Sequence, residues 1–163
     1  MNNLLIFILS FYFCLISVLA YGNLFQKIFL KKSSINENIS IYTGFYGLMF
    51  LTLISLFTSY FIQHNFYHNT ILHGLGFFYF FFSTFKKNIA YIKHIFYISI
   101  FLISVLLISK THDDFSYYHF PFTKFLTENH IIFGMGHLNL GYNFLSSLFF
   151  LNSTFYLPFI EYF

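Results

Sequence analysis

A chain of 163 residues with 58% hydrophobic and 8% charged side chains lacks the polar groups to cover a water-soluble globule, and a mean hydropathy of +0.69 makes lipid the expected solvent for much of it. The formal charge of +3 comes from lysines scattered over several loops, with no arginine, so no continuous basic face exists and nucleic acid is excluded as a partner. Cys14 is the sole cysteine, which rules out an intramolecular disulfide.

A helix rises about 1.5 Å per residue and needs about 20 apolar residues, with about 17 sufficient, to cross a hydrocarbon core of about 30 Å. Leu4 to Gly22, Ile39 to Ile62 and His94 to Ser109 contain no Lys, Arg, Asp or Glu and are expected to span, the last being extendable back to Ile89 across Lys93. "TILHGLGFFYFFFSTF", Thr70 to Phe85, is shorter and carries His73, and is expected to be a further span. Runs of this kind in close succession would leave a soluble protein nothing polar to bury them under. "SVLA" before Tyr21 has the small residues of a signal-peptidase site, but "MNN" lacks the basic residue that starts a signal peptide, so the first span is read as retained.

The lysines orient these spans. Lys27, Lys31 and Lys32 follow the first, and Lys86, Lys87 and Lys93 separate the third from the fourth, whereas "QHNFYHN" between the second and third has none. The positive-inside rule puts both lysine loops in the cytoplasm, the N-terminus outside and everything after Ser109 on the extracytoplasmic face. The expected fold is therefore an all-α polytopic transmembrane bundle of four to five spans. Residues 1–109 form the four-span region, and 110–143 an extracytoplasmic loop with a short interfacial helix. Residues 144–163 form a fifth span or a re-entrant segment.

Within the loop, Phe122, Phe125 and Leu126 stand at i, i+3, i+4 with polar residues between them, and Pro121 suits a first helical turn. This predicts a short amphipathic helix whose aromatic residues seat it in the lipid interface. Gly134, Gly136 and Gly141 read as turns, without the spacing or surroundings of a phosphate loop. "FLSSLFFLNSTFYLPFI" is apolar but interrupted by Ser, Asn, Thr and Pro. "LPFIEYF" carries no basic flank, and the expectation is a piece of a longer polytopic protein, with a small five-helix protein as the alternative.

The chemistry-bearing segment is "ISKTHDDFSYYHFPF", where Asp113 and Asp114 supply two of only five acidic residues. Carboxylates at a membrane face are functional candidates, because partial desolvation and a like-charged neighbour both raise a pKa. Either carboxylate would serve as a general base toward a hydroxyl or give oxygen ligands to a divalent cation. His112 and His119, seven residues apart, would hydrogen-bond a phosphate or complete a metal shell. The competing reading is a solvated cap on an outward-going helix. His64 and His68 have the i, i+4 spacing that can share a metal, but no HExxH or Cys/His cluster accompanies them and no metal site is assigned.

The order of "THDDFSYYHFPFTKFLTE", "IIFGMGHLNLGY" and a further apolar segment resembles the first outer loop of polytopic glycosyltransferases of the GT-C type. It also looks like the N-terminal portion of uncharacterised bacterial multi-pass membrane proteins. The resemblance covers roughly residues 95–163 and rests on a short motif. It implies a bacterial inner-membrane protein in which Asp113 or Asp114 is the base or metal-proximal acid for transfer from a polyprenyl-phosphate sugar, with His112 or His119 touching the lipid phosphate. The chain departs from that group in having more helices before the loop and in lacking the later spans that finish the donor pocket. Two function classes stay open: such a glycosyltransferase, or a non-enzymatic helical membrane protein that packs with partners or lipid.

Overall fold

The computed structural model describes residues 2–30, 41–85, 89–108, 113–137, 142 and 146–158. Its elements are helical: α1 (Asn2–Phe29), α2 (Ile41–Ser59), α3 (Phe66–Phe80, continued by a π-helical turn over Phe81–Phe85), α4 (Ile89–Ile108), α5 (His119–Glu128) and α6 (Ser147–Ser153). Short 3-10 turns cover Asp113–Phe115 and Met135–His137. Among the described residues, two helices are long and apolar enough to cross a membrane, over Leu4–Phe29 and Tyr42–Ser59, and a shorter apolar helix covers Ile95–Leu106.

The packing of α2 follows from which side chains it turns inward. Thr43, Gly47, Leu51, Ser55 and Ser59, four residues apart in succession, are buried. Tyr42, Phe45, Met49, Leu53 and Phe57 are exposed. A helix in water does the reverse, whereas in lipid the solvent is as apolar as phenylalanine and small residues at the contact let backbones approach. The inward hydroxyls stay within the helix's hydrogen-bond economy: Ser55 and Ser59 donate to the carbonyls of Thr52 and Leu56 at 2.9 and 2.7 Å.

The chain forms two compact units. One comprises Phe11–Phe50 and His73–Thr111. Here α1 and α2 cross at their glycines: a Cβ on Gly22 would strike the Thr43 carbonyl, and one on Gly47 the Val18 carbonyl. That pairing, 22 with 43 and 18 with 47, makes the two helices antiparallel. Against α3, Ser17 lies beside Gly76 and hydrogen-bonds His73 Nδ1 at 3.0 Å, while Phe13 packs on Phe77 and Leu19 and Ala20 on Phe80, so α1 and α3 run parallel. Ile95 of α4 joins Leu19 and Ala20, and Tyr12 reaches Ser99 at 2.8 Å, an antiparallel match. Ser99 already donates to the Phe96 carbonyl at 2.7 Å, so the Tyr12 hydroxyl is the donor.

The second unit comprises Met1–Ser10, Leu51–Leu72 and His112–Phe163. Its core is Phe122 and Leu126 of α5, Phe149 and Phe150 of α6 and Met135, with Leu56 of α2 against them. Phe122 meets Phe150 edge-on at 5.9 Å and 89°. The α5 helix starts at His119, two residues before Pro121, and its apolar stripe is covered by protein, with Phe122 and Leu126 each 1% exposed. The stripe that its sequence assigns to the lipid interface is thus spent on the core. Helix α6, with Ser146 as N-cap, has seven residues and rises only about 10 Å before the chain turns at Thr154. Residues 146–158 therefore do not form one helix of membrane-spanning length.

Candidate functional site

Short polar side chains at the ends of three elements meet around His64 in the second unit. Helix α2 ends in Thr58 and Ser59, and Asn65 opens α3 as its N-cap, its Oδ1 accepting from the His68 amide at 3.0 Å. The loop between them brings His64 inside, where it is 0% exposed. Its Nδ1 lies 2.6 Å from Ser153 Oγ and its Nε2 lies 2.9 Å from Thr58 Oγ1. The direction of these bonds follows from the serine. Ser153 gives its one hydroxyl hydrogen to the Phe150 carbonyl at 2.8 Å, so it accepts from His64 Nδ1–H. In the neutral ring Nε2 then carries the lone pair, and the single Thr58 hydroxyl hydrogen is shared between it, at 2.9 Å, and the Ser55 carbonyl at 3.3 Å. The imidazole is neutral in this arrangement, and burial pushes its pKa down from 6.5 to about 4, with the stacked His68 ring, 4.8 Å away, adding repulsion between like charges.

Asn69, also 0% exposed, shares its amide hydrogens among the carbonyls of His64, Ser153 and Tyr156, each at 2.8 Å. Its Oδ1 takes His68 Nδ1 at 3.0 Å. Backbone bonds complete the clamp: His64 N–H donates to the Leu126 carbonyl and Ile131 N–H to the Ser59 carbonyl, both at 2.8 Å. The residues thus tie the α2–α3 loop to α5, to the segment after it and to the turn after α6.

A serine 2.6 Å from a histidine has the spacing of a nucleophile and its base, but the proton directions are wrong for that chemistry. The ring nitrogen facing Ser153 bears hydrogen and has no lone pair with which to take the hydroxyl proton. Both groups are shut from solvent. The cluster is built as a clamp. The His64 and His68 rings do meet, and both His64 nitrogens are committed to hydroxyls. Among the described residues no group of three His, Cys, Asp or Glu is placed to hold a metal ion.

The residues singled out from sequence lie elsewhere in the same unit. Asp113 is exposed in the 3-10 turn Asp113–Phe115, which abuts α5. Asp114 follows it in that turn, its side chain outside the described set. His112 lies outside the described residues. His119 opens α5, half-buried, stacked on Tyr118 at 4.2 Å and edge-on to Phe149 at 5.0 Å. Asn69 and Ser153 were not singled out. An Asn in the first turn of a helix and a Ser inside an apolar run are ordinary in sequence, and only their meeting across 84 residues gives them a role.

No curated protein and no solved structure matches this chain. Residues 4–163 match the family model described as "Domain of unknown function (DUF8201)", and the chain belongs to that family.

Proposed function

We propose that the chain is the N-terminal membrane part of a polyprenyl-phosphate-sugar-dependent glycosyltransferase. It has four spanning helices, its N-terminus outside the bacterial inner membrane, and residues 110–143 on the outer face. The observation that carries the membrane part of the reading is the inverted α2, small residues inward and large apolar ones outward along its length. The alternating direction of α1 to α4 supports four spans, as do the lengths of α3 with its π turn and of α4, each about 30 Å of rise. In this reading the seven-residue α6 belongs to a re-entrant segment packed on protein.

For the chemistry, Asp113 is exposed, and in this reading an acceptor from water and a donor from the membrane both reach it. The carboxylate of Asp113 or Asp114 takes the acceptor's hydroxyl proton as that oxygen bonds to the anomeric carbon, and the polyprenyl phosphate leaves with the electrons of the broken C–O bond. His112 or His119 would meet the leaving phosphate, and a divalent cation would find oxygen ligands at the acidic pair. In the full-length protein, Asp113→Asn or Asp114→Asn should lower transfer by about 100-fold or more, assayed with a lipid-linked sugar. Unchanged transfer in both removes the carboxylates from the mechanism.

A non-enzymatic helical membrane protein is the second reading. It is favoured by the clamp, in which the buried His64 and Asn69 spend their polar atoms on other parts of the chain.

A further inference from the structure

The tip that follows α5 carries a patch that neither the core nor the clamp uses. Phe133 is 86% exposed and Ile132 53%, beside Gly134, whose φ of 89° lets the chain reverse there. Opposite them, past the end of α2, Tyr60, Phe61 and Ile62 are exposed as well. The Phe133 and Tyr60 rings lie 6.2 Å apart, and the Ile131 N–H bond to the Ser59 carbonyl fixes the tip to the last turn of α2.

This patch is continuous with the outward face of a helix long and apolar enough to span. Phe45, Met49, Leu53 and Phe57 run along α2, and Phe57 touches Phe61 at 5.3 Å. The apolar surface therefore passes from the helix onto the tip at the level where α2 ends. At that depth aromatic rings, including a tyrosine with its polar end toward water, partition to the headgroup boundary.

We propose that Ile132 and Phe133, with Tyr60, Phe61 and Ile62, form a membrane-inserting belt that seats the outer segment in the headgroup region of the bilayer α2 crosses. Its occupant is phospholipid. The element that dips is the Ile132–Phe133 tip, and α5 holds it from behind. The inference rests on the membrane reading above and specifies which surface of the outer segment meets lipid.

The protein has no tryptophan, so Phe133→Trp gives a single reporter at an exposed position where folding is not at stake. The full chain, reconstituted in phosphatidylcholine vesicles, is read with lipids brominated either high on the acyl chain or near its end. A Leu53→Trp variant is the reference for the α2 face. The expected result is blue-shifted emission from Phe133→Trp, with greater loss from shallow than from deep bromines and protection from aqueous acrylamide. Water-like emission quenched by acrylamide, with Leu53→Trp still quenched by bromolipid, overturns the belt and leaves the membrane reading standing. Loss of bromolipid quenching in both overturns the membrane reading itself. A blue shift without bromolipid quenching in Phe133→Trp alone means a protein partner or second copy covers the tip, and also overturns the proposal.

Discussion

His64 shows what a buried titratable side chain does when its neighbours are hydroxyls instead of carboxylates. Burial and the His68 ring outweigh the Ser55 backbone, which favours the imidazolium, so the ring works as a neutral bridge with one donor and one acceptor. Folded, it binds a proton only below about pH 4; exposed in the unfolded chain, it does so below 6.5. Between those values the unfolded state holds more protons. The bridge's contribution is therefore full above pH 6.5 and falls as the pH drops toward 4, by at most about 3 kcal/mol. Thermal unfolding in detergent, followed from above pH 6.5 down to about pH 4, should show this slope, and His64→Gln should flatten it. A wild-type protein with no slope in that window would mean the ring is not buried. Asn69 constrains the fold without any charge: three carbonyls share its amide and lose that donor in an alanine variant, at about 1–3 kcal/mol for each one left unpaired, while Ser153 keeps the Tyr156 N–H at 3.4 Å.

At the scale of elements, α2 carries two glycines three residues apart with different duties. A Cβ on Gly47 would meet the Val18 backbone, whereas one on Gly44 would meet nothing within 4 Å. Gly47→Ala must push α1 and α2 apart, and we expect it to lower stability by about 2–3 kcal/mol. Gly44→Ala should be neutral or stabilising by up to about 1 kcal/mol, because alanine is the better helix former. Melting of both variants in detergent checks the pair; equal effects would place the crossing elsewhere. The sequence offers no way to tell these glycines apart, since both sit in one apolar run. Similarly, the i, i+3, i+4 spacing of Phe122, Phe125 and Leu126 correctly announced an amphipathic helix but not its neighbour. A stripe of phenylalanine and leucine suits lipid and α6 equally, and α6 is closer.

For the whole molecule, the lysine distribution predicts a topology that can be tested directly. With Cys14 replaced by Ser, Ser116→Cys should react with an impermeant maleimide in intact cells, and Lys31→Cys only after permeabilisation. The opposite pattern would turn the protein over and put the acidic pair in the cytoplasm. The segments expected on the outer side, namely the start of α1, the end of α2, the start of α3 and the region from His112, also fall together in one compact unit.

Composition and hydrophobic runs alone determined that this chain is helical and holds runs long and apolar enough to cross a membrane. Span length and charge exclusion are properties of contiguous residues, and a single strand of sequence displays them fully. The candidate carboxylates were legible for the same reason: Asp113 and Asp114 stand out because their surroundings are apolar. Tertiary structure alone decided which face of α2 turns inward, which glycines bear the helix crossing and where the amphipathic stripe of α5 goes. It also made the clamp, in which His64, Asn69 and Ser153 acquire their role only by meeting. Partnerships between residues more than 80 positions apart depend on how helices pack, and packing is set by shape and hydrogen-bond geometry that periodicity does not encode.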